Sequence, residues 1–166
     1  MSQSRRPTRA PLSREAVVAA ALEGLPLPPP DPRRWAEQVT EFARAAREAL
    51  ARRPEAARPP VEQVPPGPRA TEVSAWLLAV LTAGGLPATA AAHGASLIVE
   101  HVGGSAARDA ADGAGAVPRP EPLAGLGAPT GPLADATPDE RFEFGLDVLV
   151  TGLAAMAARR HSSPRL

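Results

Sequence analysis

Two histidines and a glutamate are the residues of this chain best suited to polar chemistry. His93, Glu100 and His101 fall in one predicted helix, where His93 and Glu100 are seven residues, or about two turns, apart and share a face. Imidazole and carboxylate groups anchor polar ligands and bind metals. Two histidines eight residues apart lack the four-residue spacing of a helical zinc pair. We therefore predict polar anchors in a small-molecule pocket and no metal site; the simpler alternative is ordinary, partly exposed helix residues.

Catalysis would need a nucleophile, a base and a group that orients them. Ser74, Ser96 and Ser105 are available, but none stands in a recognisable turn, and the acidic residues fall mostly on predicted solvent faces. The chain has no cysteine, which excludes disulfides, thiolate zinc ligands and a cysteine nucleophile. We expect neither an enzyme nor a cofactor.

The aromatic residues are few, and most of them fit a hydrophobic core. Trp35, Phe42 and Phe142 are simplest as core residues. Trp76 is open to either role, and Phe144 lies two residues after Phe142, so it faces a partner subunit or a cavity. The resulting candidates for an effector pocket are Trp76, His93, Leu97, Glu100, His101 and Phe144.

The composition is that of a globular chain with long connectors. Hydrophobic residues make up 44% of the 166 residues, but the chain also has 14 Gly and 21 Pro, which damage helix interiors and belong in linkers. A formal net charge of zero gives the whole chain no electrostatic reason to bind nucleic acid. No apolar run reaches the roughly 18 residues that span a bilayer, so we expect a cytoplasmic protein without membrane contact.

The stretch at residues 137–160 is the most strongly patterned part of the chain. Thr137 suits the N-cap, Pro138 the first helical position and Glu140 a capping box. Apolar residues then recur at steps of three and four, which predicts one stripe on a helix. We expect this helix to pack on the helices at 32–53 and 69–83 and to pair with its twin in a second subunit. The dimer-interface candidates are Leu146, Leu149, Val150, Leu153 and Met156.

The remaining pattern is also helical. Asp31 and Pro32 repeat the N-cap and first-position signature, and the helix near 87–110 is so rich in Ala, Gly and Ser that it packs closely on a neighbour or borders a cavity. Gly103 and Gly104 predict a bend or an end there. Without any period-two alternation, the class is all-α, a bundle of about five helices. The predicted segments are a disordered arm at 1–11, helices at 13–23, 32–53, 69–83, 87–110 and 138–158, a stiff proline connector at 25–30, a turn near 61–64, a flexible Gly/Pro-rich loop at 111–136 and a tail at 161–166.

Two stretches carry a family resemblance. LPLPPPDPRRWAEQVTEFARAAREALARRP and DERFEFGLDVLVTGLAAMAARR resemble the ligand-binding and dimerisation domain of TetR-type transcriptional regulators, and LSREAVVAAALEG resembles the first half of that family's opening helix. The resemblance implies an effector-binding and dimerisation domain over residues 25–160, preceded by a remnant of the first DNA-binding helix at 12–24. It also implies a small apolar effector, a homodimer and, for the family, DNA binding.

The resemblance has one large gap. The rest of the family's helix-turn-helix domain, about forty residues by resemblance, would stand between the equivalents of Glu23 and Leu25, where this chain has Gly24 alone. Residues 13–23 carry Arg14 as their sole basic residue, so no recognition helix is present. We expect a repressor-type regulator reduced to its small-molecule-sensing and dimerisation domain, unable to bind operator DNA by itself. The alternatives are a helical interaction module that forms mixed dimers with an intact regulator, and a degraded gene product.

Overall fold

Four α-helices make up most of the computed structural model, which describes residues 21–53, 67–113 and 136–161. They are α1 (Trp35–Ala51), α2 (Pro68–Ala83), α3 (Ala88–Gly113) and α4 (Pro138–His161); residues 21 and 22 are helical as well. No strand occurs in these ranges, which confirms the all-α class. The predicted arm at 1–11, most of the helix at 13–23, the turn near 61–64, most of the loop at 111–136 and the tail from 162 lie outside the described residues.

The start of α4 follows the predicted capping box. The Glu140 N–H donates to the Thr137 hydroxyl oxygen at 3.2 Å, and the Thr137 N–H donates to Glu140 Oε2 at 2.7 Å. These reciprocal bonds satisfy two donors at the helix end and place Pro138 at its first position. The bonds from Thr137 to the carboxylate also hold the pKa of Glu140 below its ordinary value.

The start of α1 corrects the prediction from Asp31 and Pro32. The Asp31 carboxylate accepts the Arg33 N–H at 2.8 Å, and the Asp31 carbonyl accepts the Arg34 N–H at 3.1 Å. These bonds close a turn ahead of the helix, a local structure that aspartate favours as strongly as an N-cap. The helix therefore starts at Trp35, with Arg34 as its N-cap.

Helix α3 is the centre of the bundle, because its packing against each of the other three helices is more extensive than any packing among those three. It continues through Gly103 and Gly104 to Gly113, so the predicted end of the helix at these glycines is wrong. Val102, Ser105 and Ala106 are buried on either side of the pair. Their packing outweighs the roughly 1 kcal/mol that each glycine costs relative to alanine, since tertiary contacts supply most helical stability.

Helix α4 lies antiparallel to α3, with its Leu153 against Gly94 and its Gly145 under the His101 ring. It also packs on α1, as predicted. In the described chain no Cα atom of α4 lies within 8 Å of a Cα atom of α2, so the predicted direct packing of α4 on α2 is wrong. The small residues of α3 explain the difference. They let α3 come close enough to α4 to occupy the position next to it that was expected of α2.

Candidate functional site

The structure does not bring the six predicted pocket residues together in one cavity. Leu97 is 47% exposed and Phe144 73%, and His93 and Glu100 are also exposed. Trp76 lies instead in the core, tilted against Phe42 at a ring-centroid distance of 5.2 Å. The polar pair on one face of α3 is therefore a surface feature, and the sequence pattern alone did not distinguish it from a pocket.

Of the three polar pocket candidates, His93, Glu100 and His101, it is His101 that packs against a neighbouring helix. Its ring stacks on Phe142 with a centroid distance of 5.1 Å and an interplanar angle of 11°, and its Nε2 lies 2.9 Å from the Phe142 carbonyl oxygen. Gly145 leaves the space that the ring fills, since a Cβ there would collide with it. His101 thus joins α3 to the first turns of α4.

The described residues do form an open cleft of about 700 Å³ where α1, the end of α3 and the start of α4 meet. Phe142, which is almost fully buried, is the aromatic residue of its lining. The charged residues of the lining are two arginines and four acids, so their formal sum is −2. Such a lining favours a neutral or cationic ligand over an anion. The lining residues are Arg44, Arg47, Glu48, Ala51, Asp109, Pro138, Asp139, Phe142 and Glu143.

Arg47 holds the cleft together. Its Nη2 lies 2.8 Å from Asp109 Oδ2 and its Nη1 2.9 Å from Asp139 Oδ1, so one side chain of α1 pairs with α3 and with α4. Its guanidinium carbon lies 4.6 Å from the centroid of the Phe142 ring, within the range of a cation–π contact. With His101 against Phe142, the three side chains make a stack that spans three helices.

Sequence reasoning missed Arg47, although a signal was available. The residue stands four positions after the buried Ala43 and beside the buried Ala46, at the border of the apolar face of α1. An arginine at such a border lays its stem on apolar surface and directs its guanidinium to acids on neighbouring helices. Only 14% of the Arg47 side chain is exposed.

Arg44 and Glu143 form the rim of the cleft. The Arg44 Nε donates to Glu143 Oε1 at 2.9 Å and its Nη2 to Oε2 at 2.6 Å, a bidentate pair between α1 and α4. The hydrogen bonds from Arg44 hold the pKa of Glu143 below its ordinary value. Every arginine in the lining is therefore already paired, so a ligand has to compete with these pairs or add to them.

A second surface, here called the outer face, runs along α4. Phe144, Val148, Gly152 and Met156 follow one another at four-residue steps and are all exposed. Val148 is 53% exposed, and nothing lies within 4 Å of a Cβ placed at Gly152. Leu97 of α3 stands between Gly94 and His101, the positions that meet α4, and so borders the same face.

The outer face revises the assignment of the α4 stripe. Leu146 and Leu153 are buried in the core of their own chain, so they cannot also line a surface for a partner. Leu149 and Val150 are half-buried, and Met156 is exposed. The stripe read from the sequence is therefore mainly the inner side of α4, and of its residues Met156 alone also belongs to the outer face.

Two kinds of feature are absent from the described ranges. These ranges hold no group of three or more His, Asp or Glu side chains placed to bind a metal ion. None of their helices combines the length and apolarity needed to cross a bilayer.

Comparisons with solved structures define the class of protein. The chain is similar to the TetR family protein ActR from Streptomyces coelicolor in complex with (S)-DNPA, with a TM-score of 0.68 and 30% identity over 87% of this chain and 75% of that chain. For apo ActR the TM-score is 0.70 and the sequence identity 29%, and the match covers 87% of this chain and 75% of that chain. For ActR in complex with actinorhodin the TM-score is 0.69 and the sequence identity 26%, and the match covers 89% of this chain and 76% of that chain. These likenesses indicate a helical regulator.

The family follows from the sequence comparison. Residues 27–157 match the model of the tetracyclin repressor-like C-terminal domain. The chain therefore belongs to the TetR family, and its α1–α4 bundle is the family's C-terminal domain. A comparison with curated proteins found no match.

Proposed function

We propose that this protein is a TetR-like, repressor-type regulator that senses a small molecule and dimerises but does not bind operator DNA by itself. The observation that carries the proposal is the outer face of α4. A helix with one apolar side in its own core and a second apolar side in solvent needs a further partner, because clustered exposed apolar side chains mark interaction surfaces. The partner that fits best is a second copy of the same chain.

A twofold dimer would place the outer faces of two copies together. In such an isologous interface the same residues contribute from both subunits, and two helices from each chain make a four-helix contact. Gly152 permits close approach of two α4 backbones, because its Cβ position is open. Leu97 extends the apolar surface from α4 onto α3.

The dimer is tested by Val148→Glu, with Leu78→Glu as the matched control. Both positions are exposed apolar residues, and Leu78, 39% exposed, lies on α2, away from the outer face. In sedimentation velocity we expect the wild type and Leu78→Glu to be dimers, and Val148→Glu to be a folded monomer by circular dichroism. A monomeric wild type, or a Val148→Glu protein that still dimerises, would remove the dimer from the proposal.

We propose the cleft as the effector site, since it is a concave site with an aromatic floor and a few convergent polar groups. ActR forms crystalline complexes with (S)-DNPA and with actinorhodin, which makes these two compounds suitable first probes, followed by a panel of neutral and cationic aromatic compounds. The readout is the ligand-induced rise of the unfolding midpoint.

Arg47→Met removes the central charge of the cleft and keeps most of the side-chain stem. Arg34→Met is the control, because Arg34 pairs with Glu37 and Glu41 at the other end of α1. A ligand that stabilises the wild type and Arg34→Met should stabilise Arg47→Met much less. Equal stabilisation of all three would place the effector elsewhere.

The loss of autonomous DNA binding is tested by fluorescence anisotropy with DNA from the chain's own promoter region. We expect weak binding that disappears as salt rises and does not distinguish sequences. Sequence-specific binding at about 150 mM salt would contradict the proposal. Adding an intact TetR-type regulator from the same source tests the alternative of mixed dimers: loss of that regulator's DNA binding, dependent on Val148, would favour it.

A further inference from the structure

The segment at residues 25–31, here called the proline segment, is docked on the bundle through its carbonyl groups. The Trp76 indole N–H donates to the Pro28 carbonyl at 2.7 Å, and the Gln38 side-chain amide donates to the Pro29 carbonyl at 2.8 Å. The Arg69 guanidinium donates to the Leu25 carbonyl at 2.6 Å and to the Leu22 carbonyl at 3.1 Å. Four carbonyl acceptors between residues 22 and 29 are thus taken up by three side chains.

The chemistry of the two surfaces is complementary. Proline has no backbone N–H, so a segment with prolines at 26, 28, 29 and 30 offers a partner mainly acceptors. The tryptophan indole and the arginine guanidinium are donors without an acceptor. The Gln38 side chain both donates and accepts. Its amide nitrogen donates to the Pro29 carbonyl, and its Oε1 accepts the Asp31 N–H, the first N–H after the proline run, at 2.9 Å. The donor at Asp31 and the acceptor at Pro29 fix the orientation of this amide.

The donors are held in place by the bundle and not by the segment alone. Arg69 and Trp76 are seven residues apart and therefore project from one face of α2, whereas Gln38 comes from α1. Trp76 and Gln38 are buried, and Trp76 packs against Phe42. Leu25 and Leu27 add apolar contacts with the core, while the prolines themselves stay exposed. A fixed row of donors beside the core surface on which Leu25 and Leu27 pack suits an extended, preorganised polyproline backbone.

We propose that the face of α1 and α2 formed by Gln38, Arg69 and Trp76 is a polyproline-binding groove, which the chain fills with its own proline segment and which ties the helical residue Leu22 to α2. The groove is separate from the cleft and from the outer face, so the inference does not depend on effector binding or dimerisation. Arg69 makes the link to Leu22, whose carbonyl stands at a helix end where intrahelical donors are missing.

The contribution of the groove is tested by amide hydrogen exchange at Asp31, whose N–H is bonded to Gln38. Trp76→Phe keeps an aromatic ring against Phe42 and removes the indole donor; Ser74→Ala is the control, since the Ser74 hydroxyl bonds within α2, to Ala70. We expect the Asp31 amide to exchange about tenfold faster in Trp76→Phe, and at the wild-type rate in Ser74→Ala, with α3 amides unchanged in both. An unchanged rate in Trp76→Phe would overturn the proposal.

The preference for polyproline is tested in the full chain carrying Pro28→Ser, Pro29→Ser and Pro30→Ser together. Serine restores the N–H groups and the backbone freedom that proline removes, so exchange at Asp31 should again rise at least about tenfold. A synthetic peptide, GLPLPPPDP, should then bind this variant and shift the Trp76 indole N–H resonance in NMR spectra, whereas the same peptide with alanine for proline should bind about tenfold more weakly. If the triple variant keeps its segment docked, or if both peptides bind equally, the groove does not recognise polyproline.

Discussion

Gly94 is the point at which α3 allows α4 to come close, and replacing it tests how the seam between the two helices is packed. A Cβ at this position would lie 2.8 Å from Leu153 Cδ2 and 3.2 Å from Leu81 Cδ1. Carbon atoms rest at about 3.5–4.0 Å, so Gly94→Ala has to displace two buried leucines from two different helices. Overpacking of this kind costs about 1–3 kcal/mol.

Gly103→Ala makes the same chemical change in the same helix, at a position where a Cβ has no heavy atom within 4 Å. It gains the helix propensity of alanine, about 1 kcal/mol, without any overpacking. Gly94→Ala gains the same amount, but the displacement of the two leucines destabilises it. We therefore expect Gly103→Ala to be more stable than Gly94→Ala by about 1–3 kcal/mol, and more stable than the wild type by up to about 1 kcal/mol.

Equilibrium unfolding in urea, followed by circular dichroism at one protein concentration, measures the difference. The slope of the unfolding free energy against urea should be the same for both variants and the wild type, so that a shift of the midpoint reports stability alone. If Gly94→Ala is as stable as Gly103→Ala, Leu153 yields without cost and the close α3–α4 seam is not a tightly packed contact.

Three further predictions concern the other contacts. Gly84→Ala should destabilise the fold by about 1–3 kcal/mol in urea unfolding, because a Cβ there would lie 2.5 Å from Cγ of the buried Trp35 ring; a stability equal to that of the wild type would contradict the packing. Arg47→Met should cost about 1–3 kcal/mol, since it leaves the partly buried Asp109 unpaired, whereas Arg44→Met at the exposed rim should cost at most about 1 kcal/mol; the reverse order would count against the role of Arg47. The lowered pKa of Glu143, which its hydrogen bonds from Arg44 cause, stabilises the fold above the ordinary glutamate pKa and loses this effect as the pH falls through the lower folded-state pKa. Glu143→Gln should therefore lose slightly less stability than the wild type between about pH 5 and pH 3, and an identical acid profile would show that the pair contributes nothing.

Local signals in the sequence predicted the local structure well. The capping box at Thr137 and Glu140 needs only residues three positions apart, and both of its hydrogen bonds are present. The prediction that Asp31 is the N-cap of α1 was wrong, because an aspartate suits a turn and a helix start equally well. Which of the two forms depends on the neighbours of the aspartate in space. Gln38 is such a neighbour, since it accepts the Asp31 N–H.

The candidate site needed information that no local pattern carries. The acids that pair with Arg47 lie 62 and 92 positions further along the chain, and their meeting depends on how three helices pack. The position of α3 between its neighbours depends on Gly94, whose role appears only when Leu153 is set against it. The helical period likewise gives the directions of apolar side chains on α4, but it does not say which side meets the same chain and which meets solvent.

The proline segment also has a consequence for the solubility of the chain. An extended stretch with free N–H and C=O groups is a template on which a neighbouring chain can add a strand, the first step towards aggregation. In residues 25–31 most N–H groups are absent, and the carbonyls of Leu25, Pro28 and Pro29 are occupied by side chains of α1 and α2. The segment that leads into the bundle lies at the surface, yet it offers few of the N–H and C=O groups that intermolecular strand pairing needs.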